Sequence, residues 1–323
     1  MRRLAKLVHF VLRLCLLIVA LVSVAYLAHR PFRPAAPAVE FKLISHRGVH
    51  QTFHRENLTN ETCTAERIDP PRHGFIENTL PSLRAAFAAG ADLIEIDVHR
   101  TSDGELVVFH DWTLDCRTDG KGETRQHSLA QIKALDAGYG YTADGGKSFP
   151  FRGKFVGAIP SFRELLLAFP DAHFMIDQKD RSAETTALIA AQMQDFPGAV
   201  ERVCLNSDAS RNAQFVAALG GQVCVFANKD SIKRCLVDYL RSSGFGDWPK
   251  SCRDQNLIVA DNGSMRVLWG WPGTFIERAH AGGARVYVWT DDAARAQALR
   301  DTGFDGVFTD RIEDWAASSA DPP

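Results

Sequence analysis

Between residues 41 and 310, short apolar, β-branched runs alternate with stretches of helical period. This alternation restricts the fold more than any other feature of the chain. Strand candidates fall at 41–45, 92–99, 105–110, 173–177, 202–205, 222–226, 257–260, 285–290 and 306–309. Helical patterns at 79–89, 161–168, 184–195, 210–219, 231–242, 272–281 and 292–301 separate most of them. Strand following helix in this way predicts the α/β class with a parallel sheet. A (β/α)8 TIM barrel, typically of about 250 residues, is the natural match and is expected to occupy 41–318. The surplus strand has an explanation. Asp103-Gly104 lies between the second and third candidates, and Asp-Gly between strands is a strong hairpin signal. The third strand is therefore expected as an antiparallel hairpin extension. A two-residue turn would set His110 opposite Asp97, with side chains about 5 Å apart.

The residues able to do chemistry gather at the ends of these strands. His46 and Arg47 follow the first. Glu95 and Asp97 alternate with apolar neighbours in LIEIDV, so both face one side of the sheet. Asp177 and Lys179 repeat the pattern in FMIDQKD. In a barrel that side points inward near the C-terminal mouth, where active sites form. Three converging carboxylates call for a compensating charge, and a hard divalent cation is the natural one. His46 and His110 have the chemistry for acid and base near neutral pH. Arg47 and Lys179 offer positive charge to a phosphate. Taken singly, each has an ordinary explanation as a turn, a solvated strand face or a surface ion pair. Their shared position at strand C-termini is what those explanations do not require.

The N-terminus reads separately. Residues 14–28 are apolar except for Ser23, and the first six residues are basic. The expected arrangement is a cytoplasmic basic tip and transmembrane signal anchor at 1–30, then a Pro/Ala linker at 31–40. Ser23-Val24-Ala25 keeps a cleaved signal peptide open as the alternative. The expected location is the inner (plasma) membrane, single pass, with the domain on the periplasmic or extracellular side. Lys+Arg is 37 against Asp+Glu 39, and the first 33 residues hold six basic groups and no acid. The remaining body is net acidic, so nucleic acid is not an expected partner.

Export bears on the cysteines. Apart from Cys15 there are six, and none forms a CxxC. Six thiols allow fifteen connectivities. Cys204 and Cys224 lie in consecutive strand candidates, which are neighbours in a barrel. Cys235 and Cys252 bracket one helix and its following loop. Cys63 is then left to meet Cys116. Unpaired buried thiols remain an alternative for Cys204 and Cys224.

The order HRG (46–48), ENT (77–79), GADLIEIDVHRTSDGELVVFHD (90–111), IDQK (176–179), YVWTDD (287–292) and DGVFTD (305–310) resembles the glycerophosphodiester phosphodiesterases. The resemblance covers most of 41–315. It implies a TIM barrel, one divalent cation (Mg²⁺ or Ca²⁺) and hydrolysis of glycerophosphodiesters to glycerol 3-phosphate and an alcohol. It implies His46 and His110 as catalytic histidines assisted by Arg47, and Glu95, Asp97 and Asp177 as metal ligands. Arg47, Glu77, Lys179 and Trp289 match its substrate-binding residues.

Two departures stand out. Asp177 occupies a position where the family usually has Glu. The 28 residues at 49–76 form an insert between HRG and ENT, expected near the barrel mouth as a shaping element or lid. A lysophospholipase D-type activity on membrane lipids is a related reading, encouraged by the anchor. A non-catalytic ligand-binding barrel is the reading from another class, and the retention of both histidines and all three acids weighs against it.

Overall fold

A computed structural model describes residues 2–28, 40–59, 62–221, 223–242, 247–260 and 262–318. Its strands are β1 (Lys42–His46), β2 (Leu93–Arg100), β3 (Leu106–Val108), β4 (Phe174–Gln178), β5 (Val203–Ser207), β6 (Val225–Ala227), β7 (Leu257–Ala260), β8 (Val286–Trp289) and β9 (Gly306–Thr309). The order β6-β5-β4-β2-β1-β9-β8-β7 is parallel throughout, with β3 attached antiparallel to β2. Asn256 closes the ring by accepting from the Ala227 N–H and donating to the Val225 carbonyl, both at 2.9 Å. Helices follow the parallel strands at Leu80–Ala88, Phe162–Ala168, Ala183–Gln194, Ala209–Leu219, Lys229–Arg241, Gly273–Ala281, Ala293–Leu299 and Glu313–Ser318. This is the expected (β/α)8 barrel.

Several of these helices start where the sequence supplies a cap. The Ser161 hydroxyl accepts from the Glu164 N–H while the Glu164 carboxylate accepts from the Ser161 N–H, a reciprocal capping box. Asp208 and Asn228 cap the helices after β5 and β6 through their side-chain oxygens.

Strand alternation decides what fills the barrel. Ile44, Leu93, Met175, Cys204, Phe226, Tyr287 and Phe308 form a buried apolar cluster inside it. Two residues further along the same inward rows stand His46, Glu95, Asp177, Asn206 and Trp289. The barrel is therefore plugged by apolar side chains, and its polar residues sit on top of the plug. Burying each large apolar side chain contributes about 1.5–3 kcal/mol, so the floor under the polar layer is firmly held.

The hairpin corrects one expectation. Val98, His99 and Arg100 pair with Val108, Val107 and Leu106. The turn has three residues, 102–104, closed by the Thr101 N–H donating to the Glu105 carbonyl at 2.9 Å. Gly104 takes the left-handed φ of +80° that ends such a turn. The register therefore shifts by one residue, and the N–H that reaches the Asp97 carbonyl (3.0 Å) is that of Phe109, not His110. Strand pairing stops at Val108, and His110 enters the barrel mouth on the irregular backbone beyond it.

The insert at 49–76 folds back on itself through an antiparallel bridge between Phe53 and Ile68. It packs Ala65, Ile68 and Ile76 against Tyr141 and Phe151. The second half of that small core comes from 111–160, for which the sequence suggested no elements. A short helix there, Leu129–Lys133, is closed by a capping box at Ser128.

Three disulfides are present: Cys63–Cys116, Cys204–Cys224 and Cys235–Cys252, with Cα separations of 5.4, 4.5 and 4.9 Å. Those distances suit bridging, and the pairing is the expected one. Cys15 is free. It lies in the helix Arg2–Ala28, whose window Val8–Ala25 has mean hydropathy 2.5 and no burial. At 1.5 Å rise per residue a helix of that length can cross a hydrocarbon core of about 30 Å. The expected linker at 31–40 lies outside the described residues except for Glu40.

Replacing Cys204 and Cys224 together by Ala should destabilise the barrel by about 3 kcal/mol, the usual scale for a loop of this length. Urea unfolding under non-reducing conditions measures it. A double variant as stable as the parent would mean the bridge does not constrain the unfolded chain.

Candidate active site

The top of β1 builds the first half of the site. Its chain leaves the sheet through Arg47 and Gly48, both left-handed, at φ 58° and 80°. That conformation costs a non-glycine residue on the order of 1 kcal/mol. It is held by the Arg47 N–H on the Glu95 carbonyl (2.9 Å) and the Asn78 N–H on the Arg47 carbonyl (3.0 Å). Glycine is required at 48, since a Cβ there would lie 2.4 Å from the Ser82 hydroxyl. The sharp turn folds the Arg47 side chain back over the barrel. There its Nε lies 3.2 Å from Asp97 Oδ2 and its Nη1 3.2 Å from Glu77 Oε1.

Glu95, Asp97 and Asp177 each offer a carboxylate oxygen within 4.8 Å of the others. Asp97 is the best compensated. Asn78 donates to its Oδ2 at 2.8 Å, and Lys179 Nζ approaches its Oδ1 at 2.6 Å. Burial opposes its charge, but Lys179 and Arg47 hold it ionised well below the usual carboxylate range. Lys179 also donates to Asp177 at 2.7 Å, so in this arrangement it serves the acids. Glu95 is the exception: only 3% exposed, its Oε2 has no hydrogen-bond partner. The nearest basic nitrogen to it is His46 Nε2 at 3.7 Å. Burial, with Asp97 and Asp177 beside it, raises its pKa well above normal. An orphaned buried carboxylate oxygen facing two more carboxylates fits a hard divalent cation with oxygen ligands. These three residues can hold one.

Two histidines flank the acids, each with a carboxylate behind it. His46 Nδ1 is hydrogen-bonded to Asp310, and its Nε2 accepts from Arg47 Nε at 3.0 Å. His110 Nδ1 meets Asp111 Oδ1 at 2.6 Å. Burial lowers both histidine pKa values, assisted at His46 by Arg47. At His110, burial with Arg47 and Lys179 brings it down to about 4. Trp289 is 37% exposed, its ring centroid 5.2 Å from that of His46 and 4.7 Å from Phe308. It forms a wall beside the histidine. A cleft of about 970 Å³ opens from Arg47, His110 and Lys179. The insert contributes Phe53 and Leu58 to its lining, and Trp112 adds a third large apolar side chain.

All nine residues singled out from the sequence thus meet at one end of the barrel. Sequence reasoning passed over Asn78, Asp111 and Asp310, although each stood inside a stretch already recognised. It also missed His50, whose Nε2 lies 3.8 Å from Asp310, and Arg117, for which no local signal existed.

The family model of the glycerophosphoryl diester phosphodiesterase family matches residues 46–222 and 250–314. A glycerophosphodiester phosphodiesterase of Bacillus subtilis is 38% identical over 111 residues, 33% of this chain and 36% of that protein. One from Caldanaerobacter subterraneus is 38% identical over 107 residues, 33% of this chain and 40% of its own length. The matched segment thus spans two fifths or less of these curated relatives. Among solved structures, the glycerophosphodiester phosphodiesterase of Agrobacterium tumefaciens aligns with a TM-score of 0.56 at 26% identity, covering 86% of this chain and 99% of that one. An Oleispira antarctica phosphodiesterase, solved with the product sn-glycerol-3-phosphate, aligns at 0.57 and 22% identity, covering 86% and 97%. It shares the fold.

The buried histidines make a prediction about acid stability. His99, hydrogen-bonded to the His110 carbonyl at 3.3 Å, is lowered by burial, then by Lys179, from 6.5 to about 4. The unfolded chain takes up that proton near 6.5 and the folded protein only near 4, so stability must rise with pH between them. The penalty is absent above 6.5 and reaches about 3 kcal/mol when fully developed below 4. His99→Gln should flatten the rise, as measured by urea unfolding at pH 4.5, 5.5 and 7. An unchanged slope would show that His99 does not carry it.

Proposed function

The chain belongs to the glycerophosphoryl diester phosphodiesterase family, and from that premise we propose that it hydrolyses glycerophosphodiesters to glycerol 3-phosphate and an alcohol, with His46 and His110 moving the protons. The observation that carries this reading is two histidines on either side of an acid cluster, each with its Nδ1 on a carboxylate. That hydrogen bond fixes the ring and turns Nε2 toward the reacting groups.

On this reading the substrate phosphate lies against Arg47 and Lys179. His46, beside Trp289 and Glu95, takes the proton of the attacking glycerol 2-hydroxyl, which closes a cyclic phosphate that water then opens to glycerol 3-phosphate, and the Asp310 carboxylate stabilises the imidazolium that results. His110 borders the open cleft, where the alcohol half of the substrate has room, and gives its proton to the leaving oxygen. Arg47 and Lys179 are among the influences that keep His110 neutral. An anionic phosphate bound to those two cations offsets their effect, so His110 gains its proton as substrate arrives. Glu95, Asp97 and Asp177 would hold one Mg²⁺ or Ca²⁺, which supplies Lewis acidity toward the phosphoryl oxygens. The Arg2–Ala28 helix would anchor the protein, its basic tip in the cytoplasm and the barrel on the far side of the membrane.

One observation favours a related substrate. Phe53, Leu58 and Trp112 put apolar surface into an otherwise polar cleft, which offers a place for the chain of a lysophospholipid.

His46→Ala and His110→Ala should each lower kcat on glycerophosphocholine by at least ~10²-fold, the low end for removing an acid or base. A folded His110→Ala protein with near-normal turnover would defeat the assignment. EDTA should abolish activity, and Asp177→Asn should weaken Mg²⁺ or Ca²⁺ binding by calorimetry. Equal affinity in parent and variant would remove Asp177 from the ligand set.

A further inference from the structure

Arg117 lies behind the site, 4% exposed, and touches both halves of it. Its Nη1 donates to Glu77 Oε2 at 2.9 Å and to the Tyr141 hydroxyl at 2.8 Å. Its Nη2 donates to Thr64 Oγ1 at 2.7 Å, and its Nε pairs with Asp111 Oδ2 at 2.9 Å. Each carboxylate uses its other oxygen on a residue of the site. Glu77 Oε1 receives Arg47 Nη1 at 3.2 Å, and Asp111 Oδ1 receives His110 Nδ1 at 2.6 Å. One guanidinium thus spans the two acids that orient the phosphate-binding arginine and the histidine at the leaving group.

The anchoring of Arg117 is equally specific. It follows Cys116 in the chain, and Thr64 follows Cys63. The Cys63–Cys116 disulfide and the Arg117–Thr64 hydrogen bond therefore run side by side, tying the insert to the loop after β3. A lysine offers three donors from one point and cannot reproduce the planar fork that grips two carboxylates at once.

We infer that Arg117 is a positioning residue of the reaction: through Asp111 it holds His110 in line with the leaving oxygen, and through Glu77 it holds Arg47 on the phosphate. This rests on the reading of His110 as the proton donor. The part of its effect that runs through His110 shows in kcat only when the leaving group needs a proton, and a residue needed only for folding has no such preference.

The test uses the full-length protein with Arg117→Gln, Arg117→Lys and His110→Ala. Each is assayed on two glycerophosphodiesters, one releasing choline and one releasing p-nitrophenol, whose phenolate departs without protonation. For Arg117→Gln, kcat on the choline ester should fall at least ~10-fold and kcat on the p-nitrophenyl ester less than ~3-fold, with KM raised on both through Arg47. Arg117→Lys keeps the buried charge that the fold needs and should show the same preference, which covers the case in which Arg117→Gln does not fold. If His110→Ala shows the leaving-group preference and neither Arg117 variant does, the positioning role is overturned. If His110→Ala shows no preference, the proton-donor reading fails, and the inference with it.

Discussion

Carboxylates buried at the mouth of the barrel must be compensated, and most of the remaining architecture answers that demand. Glu77, Glu95, Asp97 and Asp310 are all under a tenth exposed. An ionised carboxylate taken out of water without a partner costs several kcal/mol. Arg47 and Lys179 answer for Asp97, Arg117 and Arg47 for Glu77, and Arg55 for Asp310, which also receives a hydrogen bond from His46. Placing those cations requires a left-handed residue at 47, a lysine two positions beyond Asp177, and a loop folded back from residue 117. Glu95 is the least compensated acid of this group, its charge opposed by burial and by Asp97 and Asp177, and a divalent cation would fit beside it.

The apolar layer beneath adds to the effect. Ile44, Leu93, Met175 and Phe308 keep water from the underside of the site, so charges above them interact through a poorer dielectric than they would at a surface. The same rows of side chains make both layers. Leu93, Glu95 and Asp97 lie on one face of one strand, and a single two-residue period carries the chain from plug to acid.

How much of this was legible depends on the distance over which each feature is specified. The strands and the inward acids were readable because alternation is local and each strand carries its own pattern. The pairing of Cys204 with Cys224 followed from adjacency of consecutive strands. The hairpin register did not follow from residue count, since Asp103-Gly104 serves equally in a turn of two residues or three. Here the Thr101 hydroxyl, accepting from the Glu105 N–H at 2.9 Å, helps hold the longer one. His110 still reaches the site, but by leaving the strand instead of continuing it. Segment 111–160 has little regular periodicity and packs as small clusters beside the barrel, so composition could not announce it. Arg117 was invisible for a related reason. Its partners lie 40 residues away at Glu77 and 53 away at Thr64, and only the folded insert brings them together.

The disulfides have an order as well as a geometry. Setting Cys15 aside, the cysteines are bonded in order of appearance, first with second, third with fourth and fifth with sixth: 63 with 116, 204 with 224, 235 with 252. No bridge encloses or crosses another. On the proposed topology the segment after the anchor reaches the oxidising space before the rest of the barrel, so the thiols would arrive one at a time in sequence order. Each odd-numbered arrival waits, and the next to emerge is its correct partner. The simplest rule of oxidation, joining what is already there, therefore yields the native connectivity, and reshuffling of wrong bonds, which is slow chemistry, has little to repair.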